Sequence, residues 1–337
     1  MVSHRWSAGP PTSEPRTWRS WRAAWVDAAY GPGGFWSTQR PDDHFSTGVG
    51  VGPLVADAVA RLLPPGGQVV VDVGAGDGRL LARLVDLLPR VALVGVDRRP
   101  RPAGLDPRVR WTEDHWDVDA ERWAAGGPDG WTGGAGAPLV VAHEWLDDLP
   151  APVVERGAGV WHEVEVDRAG RERRGAEVGP DDRAWLLRWW DEGRRAEVGR
   201  SRDAAWAALV RAAVRRGGRA LAVDYGHVEG RRPADGTLLA YGTGRQRIPV
   251  PDGSVNLTAG VAVDALSAAG ETAGATTLLL RQQSEVLART PPAPADGLDD
   301  ALEALVRRSE RAALTSPGRW GDLWWLLQGA DSSSDLA

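Results

Sequence analysis

The feature that most constrains the fold is a series of short apolar runs, each separated from the next by other patterns. "QVVVDVG" (68–74), "VALVGVD" (91–97), "RVRWTED" (108–114), "PLVVAHE" (138–144) and "GRALAVDYG" (218–226) each read as a strand. Helical periodicity fills "GRLLARLVDLL" after the first and "RDAAWAALVRAAVRRG" before the last. Strands with continuous apolar character need cover on both faces, and helices in crossover connections supply it. The expected fold is therefore α/β, with a doubly wound, mostly parallel sheet.

Four regions follow along the chain. Residues 1–16 are rich in Pro and Ser and read as a mobile tail. Residues 17–66 form a helical arm and loop, in which Trp18, Trp21, Trp25 and Ala29 recur at helical spacing. That stripe reads as core rather than as a ligand cage. The main domain spans 67–290, with an insertion at 151–196 between the fourth and fifth strands, carrying the strand-like "APVVERG" and "VWHEVEV" and the helical "DDRAWLLRWWD". Residues 291–337 read as a linker, a helix and the closing segment "RWGDLWWLLQG".

Composition removes several function classes. A formal net charge of -6 advertises no basic face for nucleic acid. Without cysteine there are no disulfides, thiolate nucleophiles or thiolate-ligated metals. The six histidines are scattered, with no H-x-x-x-H pair, so no metal is expected. No apolar run is long enough to span a membrane, and the N-terminal stretch has no apolar leader core, so the expected location is cytoplasmic.

"VVVDVGAGDGRLL" sets Asp72, Gly74, Ala75, Gly76 and Gly78 between the first strand and a helix. Glycines there let the backbone turn sharply and approach a ligand beside the helix N-terminus. A dinucleotide fingerprint needs a small residue where Arg79 stands. The pattern is instead similar to D-x-G-x-G-x-G, the first motif of class I S-adenosylmethionine (SAM) methyltransferases. That resemblance implies a Rossmann-like, seven-stranded-type sheet and SAM as cofactor. Asp97 ends the second strand and could accept both ribose hydroxyls, while Glu113 or Asp114 ends the third, near an adenine amino group.

From about Tyr30 to Gly329 the chain resembles the MidA-type methyltransferases, which include a mitochondrial complex I assembly factor that methylates arginine. The blocks that carry this are "YGPGGFW" with "HFSTGVGVGPLVADAVARLL", "HEWLDDLPAPVVE", "LAVDYGH", "GTLLAYGTGR" with "VNLTAGV", and "RWGDLWWLLQG". They are similar, in turn, to an aromatic-glycine loop with an F-x-T segment, N-E-x-x-D-A-L-P-V, D-Y-G, T-L-x-A-Y with D-L-T-A-H-V, and M-G-E-L-F-K-V-L. The departures include Gly50 for a Glu, His143 for an Asn, Gly260 for a His and Ala262 for an Asp.

The fourth strand ends at Glu144, beside the expected sulfonium, and Asp147 would share its face if a helical turn follows. Carboxylates bind a guanidinium in bidentate fashion, so Glu144 is expected to hold the substrate with Asp147 in support. Tyr225 is expected as a wall or hydrogen-bond donor near the methyl. His143 reads either as a proton acceptor or, more simply, as a packed residue replacing a cofactor contact. The resemblance implies methyl transfer to a protein arginine, with a protein substrate as the expected partner; the oligomeric state is left open, a homodimer being one option. Two other readings stay open: a methyltransferase of small molecules, and a SAM-binding assembly protein without catalysis.

Overall fold

The computed structural model describes residues 17–39, 48–132, 136–290 and 298–330. The expected tail, the F-x-T segment at 45–47 and residues 291–297 of the linker lie outside the described residues.

Seven strands make the central sheet: β1 (Val69–Val73), β2 (Ala92–Asp97), β3 (Val109–Glu113), β4 (Pro138–His143), β5 (Arg219–Asp224), β6 (Thr276–Gln282) and β7 (Trp324–Gly329). Their order is β6-β7-β5-β4-β1-β2-β3. β7 runs antiparallel to both its neighbours, while the pairings from β5 through β3 are parallel. The five strands read from sequence are all present. The closing segment, whose tryptophans could have faced a partner, supplies β7, with Trp325 through Leu327 at 0% exposure. Core packing accounts for it.

Side chains alternate between two cores, as the pleat requires. Val70, Leu139, Val141, Leu221 and Val223 join one cluster, and Val69, Val71, Val140, Ala142 and Ala222 join the other. Five helices frame the sheet or the layers beside it: α1 (Trp21–Tyr30), α2 (Leu54–Ala60), α3 (Arg79–Leu87), α4 (Arg200–Val214) and α5 (Val263–Thr272). α2 and α3 cover the first core with Val55, Val59, Leu81 and Leu84; α4 and α5 cover the second with Trp206, Leu209 and Leu266.

The arm and the insertion form a second layer. Val153–Gly157, Val160–Val166, Glu172–Glu177 and Arg195–Glu197 build an antiparallel sheet that Arg19–Ser20 joins at its edge. This pairing corrects the expected start of the first helix. Ser20 caps α1 through Ala23 N at 3.3 Å, so Trp18 lies outside the helix while Trp21 and Trp25 are buried in it. They pack on Val153, Val164 and Val166, and on Ala240 and Leu257 of a small sheet formed by Leu239–Gly242, Arg245–Arg247 and Asn256–Thr258. α1 thus ends at Tyr30 over the carboxyl ends of the central strands, where the cleft lies. No helix of the described residues is long and apolar enough to cross a membrane.

Candidate active site

A cleft of about 1140 Å³, its open mouth included, lies at the carboxyl ends of β1, β2 and β4. Its floor is the glycine turn. Gly74, Gly76 and Gly78 have φ of 69°, 60° and 73°, a region open to glycine at little cost. A Cβ on Gly74 would stand 2.4 Å from Cδ1 of Trp145, so this glycine lets the aromatic ring close over the turn. Asp97 faces the turn from β2: its Oδ2 accepts from Gly76 N at 2.9 Å and its Oδ1 from Arg99 N at 2.9 Å. Asp72 lies beneath, where burial and the charge of Asp97 push its pKa up to about 8.

The far wall is aromatic. Trp123 stacks on Trp145 with centroids 5.6 Å apart and planes 11° from parallel, and Trp116 and Trp131 meet Trp123 edge-on. Asp114 lines the cleft, but its carboxylate is committed to the protein. It accepts from the backbone of His115, Ala125 and Gly127 and from Trp131 Nε1, at 2.8–3.2 Å. Glu113 does not reach the cleft. It faces the outside of edge strand β3, beside Arg101 and Trp111. The expectation of a Glu113 contact there fails because alternation along β3 turns it away.

The loop after β4 does not continue as a helical turn. Glu144 has φ of 49°, a left-handed conformation rare outside glycine and found where surrounding structure enforces it. Here the enforcing group is Asp224, at the end of β5. Its Oδ2 accepts from Trp145 N, Leu146 N and Asp147 N at 3.2, 2.8 and 3.3 Å, and its Oδ1 from Tyr225 N at 2.9 Å. The loop is wrapped around this one carboxylate, and that corrects the expectation that Glu144 and Asp147 share a face. Asp147 turns inward: its Oδ2 accepts from Thr258 Oγ1 at 2.5 Å, it is 7% exposed, and it is not among the residues lining the cleft. Tyr225, half-buried, also stands behind the cleft wall rather than in it.

The cleft receives His143, Glu144 and, unforeseen from sequence, Asp148. Glu144 Oε1 accepts from Gly48 N at 2.9 Å, and Oε2 has no donor among the described residues. Burial pushes its pKa up to about 8, against the opposing pull of the Gly48 N–H and with the help of the Asp147 charge. His143 is 8% exposed, its Nε2 has no partner among the described residues, and burial lowers its pKa to about 4, so the imidazole is neutral. Asp148 is raised well above the ordinary carboxylate range by burial and then by the Asp147 charge. The buried Arg202 of α4 holds this region together. It donates to the carbonyl oxygens of Asp147, Leu149, Ala259 and Gly260 at 2.8–3.3 Å. Tyr30 and Trp36 of the arm complete the wall, with Arg98 stacked 4.1 Å over the Tyr30 ring. Arg202 carried no local signal, because long-range packing brings it in; Tyr30 and Trp36 belong to the aromatic-glycine block, whose place in the cleft wall spacing alone did not give.

Two solved structures share this architecture. A Burkholderia thailandensis protein described as a "likely methyl transferase", solved bound to S-adenosyl-homocysteine, is 23% identical. It covers 94% of this chain and 90% of its own, with a TM-score of 0.75. A native structure of an uncharacterized superfamily protein from the same organism is also 23% identical, over 94% of this chain and 89% of that one, with a TM-score of 0.74. These likenesses show the fold. No curated protein matches the chain. Residues 99–280, more than half of the sequence, match the family described as "putative S-adenosyl-L-methionine-dependent methyltransferase".

The chain belongs to that methyltransferase family. The matched span begins after β2, so the glycine turn at 74–78 is an independent observation in this methyltransferase. The cleft fits the cofactor. SAM carries a sulfonium, an ammonium and a ribose diol, and the methyltransferase offers a left-handed glycine turn, the carboxylates of Asp72, Asp97 and Glu144, and an aromatic wall. Bound there, SAM supplies an activated methyl group, and the protein's task is to align an acceptor and arrange charge around it.

Proposed function

We propose that this methyltransferase is of the MidA type and transfers the methyl of SAM to a guanidinium nitrogen of an arginine side chain in a protein. One observation carries the reading: Glu144 is forced into a left-handed conformation at the end of β4 with one carboxylate oxygen tied to Gly48 N and the other without a donor among the described residues. A strained, buried carboxylate with a spare oxygen is costly to keep and suits a cationic N–H donor. Glu144 would hold and orient the guanidinium, and the Asp97–glycine turn pair would hold the ribose. The neutral His143 Nε2 would accept an N–H without adding positive charge beside a sulfonium. Asp147 and Tyr225, standing behind the wall, would act by shaping it.

The test is incubation with methyl-labelled SAM and fractionated host lysate, followed by acid hydrolysis. Label recovered as methylarginine supports the reading. Label confined to small molecules, or to another side chain, refutes it.

A further inference from the structure

Asp148 stands where the block resembling N-E-x-x-D-A-L-P has alanine, and Asn256 stands where the one resembling D-L-T-A-H-V has aspartate. The fold brings these two positions together. Asn256 Nδ2 donates to Asp148 Oδ1 at 2.9 Å. A carboxylate and its neutral partner have thus exchanged sides of one contact. The pattern would place the acid on the strand Asn256–Thr258; this chain places it on the loop after β4, where it lines the cleft.

Tyr30 OH donates to the main-chain oxygen of Asp148 at 3.3 Å from the arm, and Asn256 reaches its side chain from the small sheet. Asp148 shares the loop after β4 with Glu144, which the proposed function assigns to the acceptor, while the glycine turn and Asp97 stand at the ends of β1 and β2. That shared loop sets Asp148 on the acceptor side of the cleft. Its Oδ1 is engaged by Asn256, and its Oδ2 has no donor among the described residues. A second observation points the same way: the unpartnered Nε2 of His143, more than nine-tenths buried, belongs to the same cleft lining. Two spare acceptors, one of them anionic, match a cation with several N–H groups.

We propose that Asp148, oriented by Asn256, is a specificity-determining residue that binds the cationic end of the acceptor alongside Glu144. The inference rests on the proposed function for the acceptor's being a guanidinium, but its test separates the two. The full chain, loaded with S-adenosyl-homocysteine, is titrated calorimetrically with propylguanidinium and with propylammonium. Asp148→Ala is expected to weaken binding of the preferred cation about ten- to a hundredfold, the worth of a hydrogen bond to a charged group. Affinity for S-adenosyl-homocysteine should stay within about twofold, and the double variant D148A/N256D, which returns the carboxylate to the strand, should recover part of the loss. Asp148→Asn, which preserves size, serves if the alanine variant does not fold.

Unchanged cation binding in these variants overturns the inference. So does a loss confined to S-adenosyl-homocysteine, which would assign Asp148 to the cofactor's ammonium, or failure of the wild type to bind either cation. A wild type that prefers propylammonium refutes the arginine reading, while the effect of Asp148→Ala on that ligand still decides the inference.

Discussion

Substituting Glu144→Gln should stabilise the protein, and more so at higher pH. Burial raises the Glu144 pKa from an ordinary 4.5 to about 8, so the folded protein binds a proton there that the unfolded chain releases. A raised pKa contributes stability that is fully present below pH 4.5 and lost as pH rises through about 8. At about 1.36 kcal/mol per pH unit, the ceiling of that loss is about 5 kcal/mol for this side chain, which is only 11% exposed. Glutamine keeps an oxygen for Gly48 N–H and carries no charge, so it escapes the loss. Urea denaturation of both proteins at pH 5, 7 and 8.5 measures the difference. The variant should track the wild type at pH 5 and exceed it by about 2–5 kcal/mol at pH 8.5. Asp72 and Asp203, also raised by burial, titrate in both proteins and cancel in the comparison. Equal pH slopes for the two proteins would refute the reasoning, as would a variant less stable than the wild type at pH 8.5. Methyl transfer to a confirmed acceptor should fall in the variant despite its added stability, the usual trade at a strained functional carboxylate.

Three further perturbations test other parts of the site. Asp97→Asn should weaken S-adenosyl-homocysteine binding at least about tenfold by calorimetry, since it removes the charge that the glycine turn and Arg99 orient toward the cleft. Gly74→Ala should lower stability by about 2–4 kcal/mol in urea and abolish cofactor-dependent thermal stabilisation, because its φ of 69° and the Trp145 ring 2.4 Å from a Cβ both oppose a side chain. Arg202→Met should cost about 3–5 kcal/mol in the same assay by leaving the carbonyl oxygens of Asp147, Leu149 and Ala259 without their donor.

The sheet was legible because its signal is local. Val69–Val71 and Leu139–Ala142 are apolar without interruption since both faces are covered, and a glycine turn can be read directly from Gly74, Gly76 and Gly78. The substrate side was less legible because its geometry depends on residues far apart in sequence. Spacing alone gave Glu144 and Asp147 a common face. Asp224, 77 positions beyond Asp147, overrides that spacing by gathering three successive N–H groups onto one oxygen. Glu113 and Asp114 could not be told apart in the sequence. Alternation along β3 decides between them, and even Asp114 spends its carboxylate on its own loop.

A motif's acids therefore divide by what they face rather than by how well they match a pattern. Asp147 and Asp224 match the family blocks, yet both are buried behind the wall and serve the backbone and Thr258. Glu144 matches as well and reaches the cleft, at the cost of a left-handed backbone. Asp148 does not match and reaches it too. Burying Asp147 and Asp224 side by side raises both pKa values, with burial as the main cause in each. The Arg202 guanidinium, whose donors are taken up by carbonyl oxygens, is the buried positive charge that opposes this. Arg202 also joins the loop after β4 to the Ala259–Gly260 turn, so the charge that makes the acid cluster tolerable also fixes the distance between its two halves. An acceptor cation entering beside Glu144 and Asp148 would add positive charge to this cluster, and its binding should grow tighter as pH rises toward 8 and Glu144 ionises.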